Sequence, residues 1–135
     1  MASYQILLAE DYPLNQKLVG TILQMMGCEV LLANNGEEAV FLFQTYKKNL
    51  DAILMDIKMP VMDGLQATRK IRLSKYGAQI PIIALTANAV EGDRERCLDA
   101  GMTDYLTKPI GRAALEGILH HHLRMKDTIS AEALR

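Results

Sequence analysis

Apolar residues along this chain follow two kinds of pattern that alternate with each other. Short, nearly continuous apolar runs occur five times, at residues 6–9, 29–33, 52–55, 82–85 and 104–106. Each run is too short for a helix and shows little polar alternation, which is typical of strands that are covered on both faces. The pattern therefore predicts five buried strands.

The longer segments between these runs carry residues three and four positions apart on what would be one face of a helix. The four clearest stripes are Leu14, Leu18, Ile22 and Met25; Ala39, Leu42, Phe43 and Tyr46; Leu65, Thr68, Ile71 and Arg72; and Ala114, Leu115, Ile118 and Leu119. Strict alternation of strands and helices predicts a parallel sheet with helices on both faces. The fold class is therefore α/β, with five strands and five helices.

Residues at the ends of the predicted helices agree with this interpretation. Pro13 suits the first turn of the first helix, because its missing N–H would have no partner there. Glu37 and Glu38 lie where the positive end of the second helix is expected. Gly27 and Gly101 follow the first and fourth helices, at positions where helices commonly stop.

Length and composition indicate one ordinary globular domain. The chain has 135 residues, of which 50% are hydrophobic and 23% charged, and its net charge is -1. No basic stripe is present of the kind that binds nucleic acid. Cys28 and Cys97 lack metal-ligand spacing and are interpreted as thiols in a reducing compartment. No apolar run approaches the ~20 residues of a membrane span, and the first residues lack signal-peptide features, so we expect a cytoplasmic location.

Polar residues that carry chemistry follow four of the predicted strands. Glu10 and Asp11 follow the first strand, Asp56 the third, Thr86 the fourth and Lys108 the fifth. Ligands of open parallel sheets bind at the carboxyl ends of the strands, so these side chains are expected to meet. Carboxylates packed together repel each other, and a shared cation relieves the repulsion. Ligation by oxygen alone favours a hard metal such as Mg²⁺.

These residues lie in segments that resemble the signatures of the receiver domains of response regulators, the CheY-like family. The segments are Leu8-Ala9-Glu10-Asp11, residues 55–64 (MDIKMPVMDG), residues 84–87 (ALTA) and residues 105–109 (YLTKP). The resemblance covers residues 4–124 and is strongest to receivers of hybrid sensor histidine kinases. It implies a flavodoxin-like, doubly wound (βα)5 fold with strand order 2-1-3-4-5. Residues 125–135 would then be a C-terminal tail or the start of a linker.

The resemblance implies a phosphoryl-accepting site that depends on Mg²⁺. By this likeness, Asp56 accepts a phosphoryl group from the phosphohistidine of a sensor histidine kinase or a histidine phosphotransfer domain. Glu10, Asp11, Asp56 and the backbone carbonyl of Lys58 would hold the metal. Such a domain promotes its own phosphorylation and dephosphorylation without turning over a free substrate.

The same likeness assigns roles to the residues that meet the phosphoryl group. Lys108 would neutralise its oxygens, and Thr86 and the backbone amide of Ala87 would donate hydrogen bonds to them. Thr86 and Tyr105 would switch together and reshape the face made by the fourth helix, the fifth strand and the fifth helix.

Two further side chains flank the line that a hydrolytic water would take. Lys58 and Asn88 come two residues after Asp56 and Thr86, and we predict that they set the lifetime of the phosphoryl group. The consecutive histidines 120–122 point in different directions on a helix, so they are interpreted as partly solvated cations near a helix end.

Other functions fit the residues less well. A phosphatase of the haloacid dehalogenase type would place a second aspartate two residues after the first, where this chain has Lys58. A nucleotide-binding module would need a glycine-rich loop after the first strand, where this chain has Glu10 and Asp11. Three forms of receiver stay open: part of a hybrid histidine kinase, a stand-alone response regulator, and a protein-binding scaffold that is never phosphorylated.

Overall fold

Five strands and five helices alternate in the part of the chain that the structure describes, as the apolar pattern predicts. The computed structural model describes residues 3–87 and 91–123. In chain order the elements are β1 (Gln5–Ala9), α1 (Pro13–Met25), β2 (Glu29–Ala33), α2 (Gly36–Tyr46), β3 (Ala52–Asp56), α3 (Gly64–Arg72), β4 (Ile82–Thr86), α4 (Glu91–Ala100), β5 (Asp104–Thr107) and α5 (Arg112–Leu123). No helix within the described ranges is long and apolar enough to cross a bilayer.

All neighbouring strands of the sheet are parallel, and their order is β2-β1-β3-β4-β5. The predicted order is therefore confirmed. β1 pairs with β2 on one side and β3 on the other, so the direction of winding reverses between β1 and β3. This reversal opens a crevice at the carboxyl ends of β1 and β3, which is where doubly wound folds bind their ligands.

Alternate residues of each strand point into two separate cores, one on each face of the sheet. Leu7, Ile53 and Ile82 belong to the core beneath α2, α3 and α4. Ile6 and Leu54 belong to the core beneath α1 and α5. Because the central strands are covered on both faces, their sequences are almost entirely apolar.

The predicted stripe on α1 is wrong as a description of the buried face. The residues of α1 that are buried are Val19, Ile22 and Leu23, whereas Leu14 is 65% exposed and Leu18 is also exposed. Only Ile22 belongs to both sets. α1 carries apolar residues around more than half of its circumference, so spacing alone does not distinguish the packed face from the solvent face.

The helix ends largely follow the predicted signals. Pro13 is the first residue of α1, and Gly27 follows that helix with φ +84°, a conformation that favours glycine. Asn35 accepts a hydrogen bond from the backbone N–H of Glu38 at 2.8 Å and so caps α2. The Lys108–Pro109 peptide bond is cis.

Arg72 joins three chain segments at the amino ends of β4 and β5. Its Nε donates to the carbonyl of Gly101 at 2.7 Å, and its Nη1 donates to those of Gly77 and Ile80 at 2.9 and 2.6 Å. Its Nη2 donates to Thr103 Oγ1 at 3.1 Å. We call this arrangement the Arg72 clamp. Burial lowers the pKa of Arg72. Every acceptor in the clamp is neutral, so no carboxylate in the clamp offsets this effect.

The histidine cluster also contributes to this end of the sheet. His122 Nε2 lies 2.8 Å from Asp104 Oδ2, so the last turn of α5 is tied to the first residue of β5. The His122 side chain is mostly buried. The interpretation of all three histidines as partly solvated cations therefore misses the structural role of His122.

Candidate active site

Strand ends bring together the five side chains that sequence reasoning selected. Glu10 and Asp11 directly follow β1, Asp56 ends β3, Thr86 ends β4, and Lys108 directly follows β5. We call these five residues the carboxyl rim. They meet because parallel strands end at the same edge of a sheet, although the residues are far apart in the chain.

A half-buried lysine connects two carboxylates at the centre of the carboxyl rim. Lys108 Nζ lies 2.9 Å from Asp56 Oδ2 and 3.0 Å from Glu10 Oε1. Glu10 is fully buried and Asp56 is 5% exposed. The contact with Asp56 is a hydrogen bond, whereas the contact with Glu10 is an ion pair without hydrogen-bond alignment. Glu10 Oε1 is therefore a buried carboxylate oxygen with no hydrogen-bond donor.

Burial and neighbouring charges shift the pKa values of two residues of the carboxyl rim, Asp56 and Lys108. Burial raises the pKa of Asp56 from 3.8 to about 6, the hydrogen bond from Lys108 opposes this rise, and the charge of Glu10 adds to it. Burial acts to lower the pKa of Lys108, but its hydrogen bond to Asp56 and the neighbouring carboxylates outweigh burial and raise the pKa. The ionised form of Asp56 is thus less favoured than that of an ordinary aspartate, whereas the protonated form of Lys108 is more favoured than that of an ordinary lysine.

The acidic residues of the rim fit a divalent cation. Glu10, Asp11 and Asp56 each offer an oxygen, and these oxygens lie within 4.8 Å of one another. Glu10 Oε1 lacks a hydrogen-bond donor, while Glu10 Oε2 accepts from the backbone N–H of Tyr12 at 2.9 Å. Asp11 is exposed, which leaves one side of the group open to water. Carboxylate oxygens with access to water are the ligands that Mg²⁺ prefers.

Close backbone packing holds the loop between β3 and α3 against the rim. Gly64 N–H donates to the carbonyl of Ile57, and Gly36 N–H donates to that of Met62, both at 2.8 Å. A side chain at Gly64 would collide with the carbonyl of Asp56, and one at Gly36 would collide with that of Met62. Glycine is therefore required at both positions, because each lets two backbone segments approach closely.

The same loop contains a strained residue. Val61 has φ +70°, and the Met62 N–H donates to the carbonyl of Pro60 at 2.7 Å, which closes a γ-turn around Val61. A β-branched residue rarely adopts positive φ, so the turn stores strain. Val61 is also 74% exposed, so packing of its side chain offsets little of that strain.

The predicted phosphoryl-binding and metal-binding backbone groups lie around Asp56. Lys58 N–H donates to Asp56 Oδ1 at 3.3 Å, and its side chain is exposed. Thr86 is buried, Ala87 beside it is exposed, and the Lys108 N–H donates to the carbonyl of Thr86 at 2.7 Å.

Tyr105 is the residue predicted to switch together with Thr86, and Asn88 is one of the two residues predicted to set the lifetime of the phosphoryl group. Tyr105 is half-buried against the core beneath α2, α3 and α4, and the Arg94 guanidinium lies 5.8 Å from the centre of its ring. Asn88 lies outside the described residues.

Two residues of α4 line the site and were missed by sequence reasoning. A cleft of about 180 Å³ beside Asp56 is lined by Asp56, Ile57, Lys58, Thr86, Ala87, Asp93, Arg96 and Lys108. Arg96 also lines an adjoining, more open cleft of about 380 Å³ that includes Asp11. No motif marks Asp93 or Arg96, because their approach to Asp56 depends on how α4 packs on the sheet.

Gln16 of α1 is a second neighbour that the sequence did not indicate. Its side-chain amide donates to the carbonyl of Glu10 and to Asn34 Oδ1, the latter at 2.8 Å. Gln16 thus ties the loop after β1 to the loop after β2, and it fixes the backbone of one of the acidic residues.

Comparison with protein families and curated proteins gives a consistent result. The model of the response regulator receiver domain matches residues 6–120. The chain is 42% identical over 125 residues to hybrid signal transduction histidine kinase I of Dictyostelium discoideum, covering 89% of this chain and 7% of that protein. It is 40% identical over 118 residues to sensor histidine kinase GacS of Pseudomonas protegens, covering 85% of this chain and 13% of that protein. The chain therefore spans only a small part of these relatives.

Solved structures show the same relationship. The receiver domain of sensor histidine kinase PA1611 from Pseudomonas aeruginosa, solved with a magnesium ion in its active-site cleft, is 49% identical, with a TM-score of 0.81 and coverage of 90% of this chain and 98% of that one. The receiver domain of Ssk1 from Saccharomyces cerevisiae, solved with the histidine phosphotransfer protein Ypd1, gives 32% identity, a TM-score of 0.84 and coverage of 92% and 91%.

Proposed function

This chain belongs to the response regulator receiver family, and from that premise we propose that Asp56 accepts a phosphoryl group from a partner phosphohistidine. The observation that carries the proposal is the Lys108–Asp56 hydrogen bond of 2.9 Å, made inside a group of three clustered carboxylates. A carboxylate that is buried, crowded and paired with one lysine is poorly suited to a structural role. It is well suited to receive an anionic group together with a counter-ion.

The proposed transfer is a displacement at phosphorus. An oxygen of the Asp56 carboxylate attacks the phosphorus, the new P–O bond forms, and the P–N bond to the donor imidazole breaks. The imidazole nitrogen leaves with the electron pair of that bond. Because this chemistry demands little covalent work from the protein, positioning and charge stabilisation account for most of the catalysis.

In this proposal, charge stabilisation comes from three residues that line the cleft beside Asp56. Lys108, held by Asp56, neutralises the phosphoryl oxygens. The hydroxyl of Thr86 and the backbone N–H of Ala87 donate hydrogen bonds to them. When bound by Glu10, Asp11, Asp56 and the carbonyl of Lys58, Mg²⁺ supplies positive charge that offsets the phosphoryl oxygens.

The signalling response follows from movement of Thr86 toward the phosphoryl group. We propose that this movement opens space for Tyr105, whose ring is half-buried between the core and Arg94. The face formed by α4, β5 and α5 then changes shape, as a shift between two accessible states.

The lifetime of the phosphoryl group depends, in this proposal, on Lys58 and Asn88. Both follow a site residue at a spacing of two, and Lys58 lines the cleft beside Asp56. The half-life of the phosphorylated domain should change on substitution of each residue in turn. An unchanged half-life in both variants would rule out this role.

A separate proposal concerns the whole protein to which this domain belongs and its partners. We propose that residues 4–124 form the receiver part of a hybrid histidine kinase, working in the cytoplasm with a kinase or a histidine phosphotransfer domain. The similarity to hybrid kinases and to the partner of Ypd1 supports this assignment. The alternatives are a stand-alone response regulator and a scaffold that is never phosphorylated.

The test is intact-mass measurement after incubation with Mg²⁺ and acetyl phosphate. The wild type should gain one phosphoryl group, Asp56→Asn should gain none, and omission of Mg²⁺ should abolish the gain. Asp99→Asn, at an exposed aspartate of α4, is the matched control and should behave as the wild type. A wild type that is folded and never gains mass would favour the scaffold.

A further inference from the structure

The cleft beside Asp56 contains an ion pair that the proposed mechanism does not use. Asp93 and Arg96 lie one turn apart on α4, with Arg96 Nη1 3.2 Å from Asp93 Oδ1. Both side chains line the cleft that also contains Asp56, Thr86 and Lys108. An arginine and an aspartate of the fourth helix thus share a cavity with the phosphoacceptor.

Lys108 and Arg96 both line this cleft, but they differ in how far their charge is already paired with carboxylates. Lys108 is mostly buried and lies within 3.0 Å of two carboxylates, so its charge is largely neutralised before any phosphoryl group arrives. Arg96 makes one contact to one carboxylate, and its side chain is 62% exposed. The Asp93 side chain is 21% exposed, but the Arg96 side chain lies largely in solvent, where screening keeps an ion pair between helix residues three apart weak. Arg96 is therefore easily displaced from Asp93.

We propose that Arg96 is a phosphoryl-binding residue, and that Asp93 holds it at the edge of the cleft until a phosphoryl donor enters. The guanidinium then leaves Asp93 and donates two parallel hydrogen bonds to phosphoryl oxygens, a geometry for which its planar fork is suited. One weak contact is exchanged for a bidentate, charge-assisted one. This inference rests on the proposed function of Asp56.

Arg96 acts in this scheme by attracting and orienting the donor rather than by chemistry on it. With acetyl phosphate, the Asp56 oxygen forms the new bond to phosphorus, and acetate leaves with the electron pair of the broken P–O bond. Arg96 neither gives nor takes a proton. Its removal should therefore weaken donor binding. Because each chain accepts one phosphoryl group, KM denotes the donor concentration that gives half the maximal rate constant of phosphorylation, and kcat denotes that maximal rate constant. KM should rise and kcat should stay nearly unchanged.

Position distinguishes Arg96 from the other arginines that the structure describes nearby. Arg94 lies two residues earlier on α4, but it faces the ring of Tyr105 and lines neither cleft. Arg112 forms a similar exposed pair with Glu116 on α5, at 2.8 Å. Arg112→Gln removes the same charge from the same kind of helix pair away from the cleft and is the matched control.

The experiment measures the first-order rate constant for phosphorylation of the chain at varied excess acetyl phosphate, with saturating Mg²⁺ and detection by intact mass. Arg96→Gln should raise KM about three- to tenfold and change kcat by less than about twofold, whereas Arg112→Gln should match the wild type. Arg96→Lys keeps the charge without the fork and should recover part of the loss.

Asp93→Asn tests the exchange itself. In the wild-type background it should lower KM, because Arg96 is released toward the cleft. In the Arg96→Gln background it should have no effect, since there is no arginine left to release. Equal effects in the two backgrounds would mean that Asp93 acts through its own charge, and the proposed exchange would be wrong.

Different results would overturn the role of Arg96 and the proposed function of Asp56. A wild type that accepts phosphoryl groups on Asp56, together with an Arg96→Gln variant whose KM is unchanged, overturns the role of Arg96 alone. A folded wild type that accepts no phosphoryl group overturns the proposed function, and this inference with it.

Discussion

The two ends of the sheet both bury charge, but they treat it in opposite ways. At the amino ends of β4 and β5, the Arg72 guanidinium donates to four neutral oxygens at 2.6–3.1 Å. At the carboxyl ends, Glu10, Asp11 and Asp56 crowd together beside Lys108, and Glu10 Oε1 has no hydrogen-bond donor. At the amino end the cation is satisfied by neutral acceptors, whereas at the carboxyl end a single lysine is paired with two of three clustered carboxylates.

This difference separates a stabilising use of buried charge from a functional one. A half-buried charge with four of its five N–H donors engaged rigidifies the segments around it, here the turns that precede β4 and β5. Crowded carboxylates lower the stability of the fold until a cation arrives, and that deficit is what makes the site responsive. Substitutions at the two ends should therefore change stability in opposite directions.

The largest expected effect is loss of the Arg72 clamp. Arg72→Met keeps much of the side-chain volume but leaves the carbonyls of Gly77, Ile80 and Gly101 without this donor. We expect destabilisation of about 2–4 kcal/mol in urea unfolding. Arg69→Met, at an exposed position of the same helix, is the control and should cost less than about 0.5 kcal/mol. A loss no larger than that of the control would contradict the clamp.

A substitution at the carboxyl rim should instead increase the stability of the fold. Asp56→Asn removes one of three crowded carboxylates and, in the absence of metal, should stabilise the fold by about 1–2 kcal/mol at pH 7. The pKa of Asp56 is raised to about 6 in the folded chain, so its ionisation opposes folding. The advantage of the variant should be small below pH 4, grow as the pH rises from about 4 to 6, and be complete above that.

Saturating Mg²⁺ provides the control for this prediction. The ion should stabilise the wild type more than Asp56→Asn, because the variant lacks one carboxylate of the cluster. The comparison of the two ends would be refuted by an Asp56→Asn variant that is less stable than the wild type without metal.

A smaller gain is expected from relief of backbone strain beside the rim. Val61→Asn places a residue that tolerates positive φ at a position with φ +70°, and should stabilise the fold by about 0.5–1 kcal/mol. Leu73→Asn is the matched control, because Leu73 is exposed and has φ -72°. Equal effects of the two substitutions in thermal unfolding would show that strain at Val61 is unimportant.

The smallest effect concerns the second contact at the amino end of the sheet. His122→Gln removes the contact between the imidazole and the Asp104 carboxylate and should destabilise the fold by about 0.5–1 kcal/mol. His121→Gln, at the exposed neighbouring position, keeps the contact with Asp104 and loses only the edge-to-face contact of the two imidazole rings, whose centroids lie 4.7 Å apart, so it should cost less than His122→Gln. A matching loss in both variants would argue that helix propensity, and not the His122–Asp104 contact, is responsible.

Much of the architecture was predictable because periodicity carries it. The apolar runs predict the positions of all five strands, and the glycines at 27 and 101 do follow helices. The prediction that all five strands are buried holds for β1, β3 and β4 but is wrong for the edge strands β2 and β5, which are only partly buried because each has a neighbour on one side only. The carboxyl rim was predictable for a topological reason: parallel strands end at one edge, so Glu10, Asp56 and Lys108 meet whatever the details of packing.

The remaining features depend on how the elements pack, which spacing does not encode. Arg72 appeared only as one member of a helical stripe, and its four acceptors come from turns that have no motif. Leu14 and Leu18 have ideal helical spacing yet face solvent, because α1 packs through Val19 and Leu23. The approach of Arg96 to Asp56 is set by the position of α4 on the sheet.

The most direct test of the account is chemical identification of the phosphorylated residue. Borohydride reduces an acyl phosphate to an alcohol, so a phosphorylated aspartate becomes homoserine, which peptide mapping locates. After incubation with Mg²⁺ and acetyl phosphate, the account predicts homoserine at position 56 and none without Mg²⁺. Homoserine at Asp11 or another carboxylate, or a phosphoryl group that resists reduction, would contradict it.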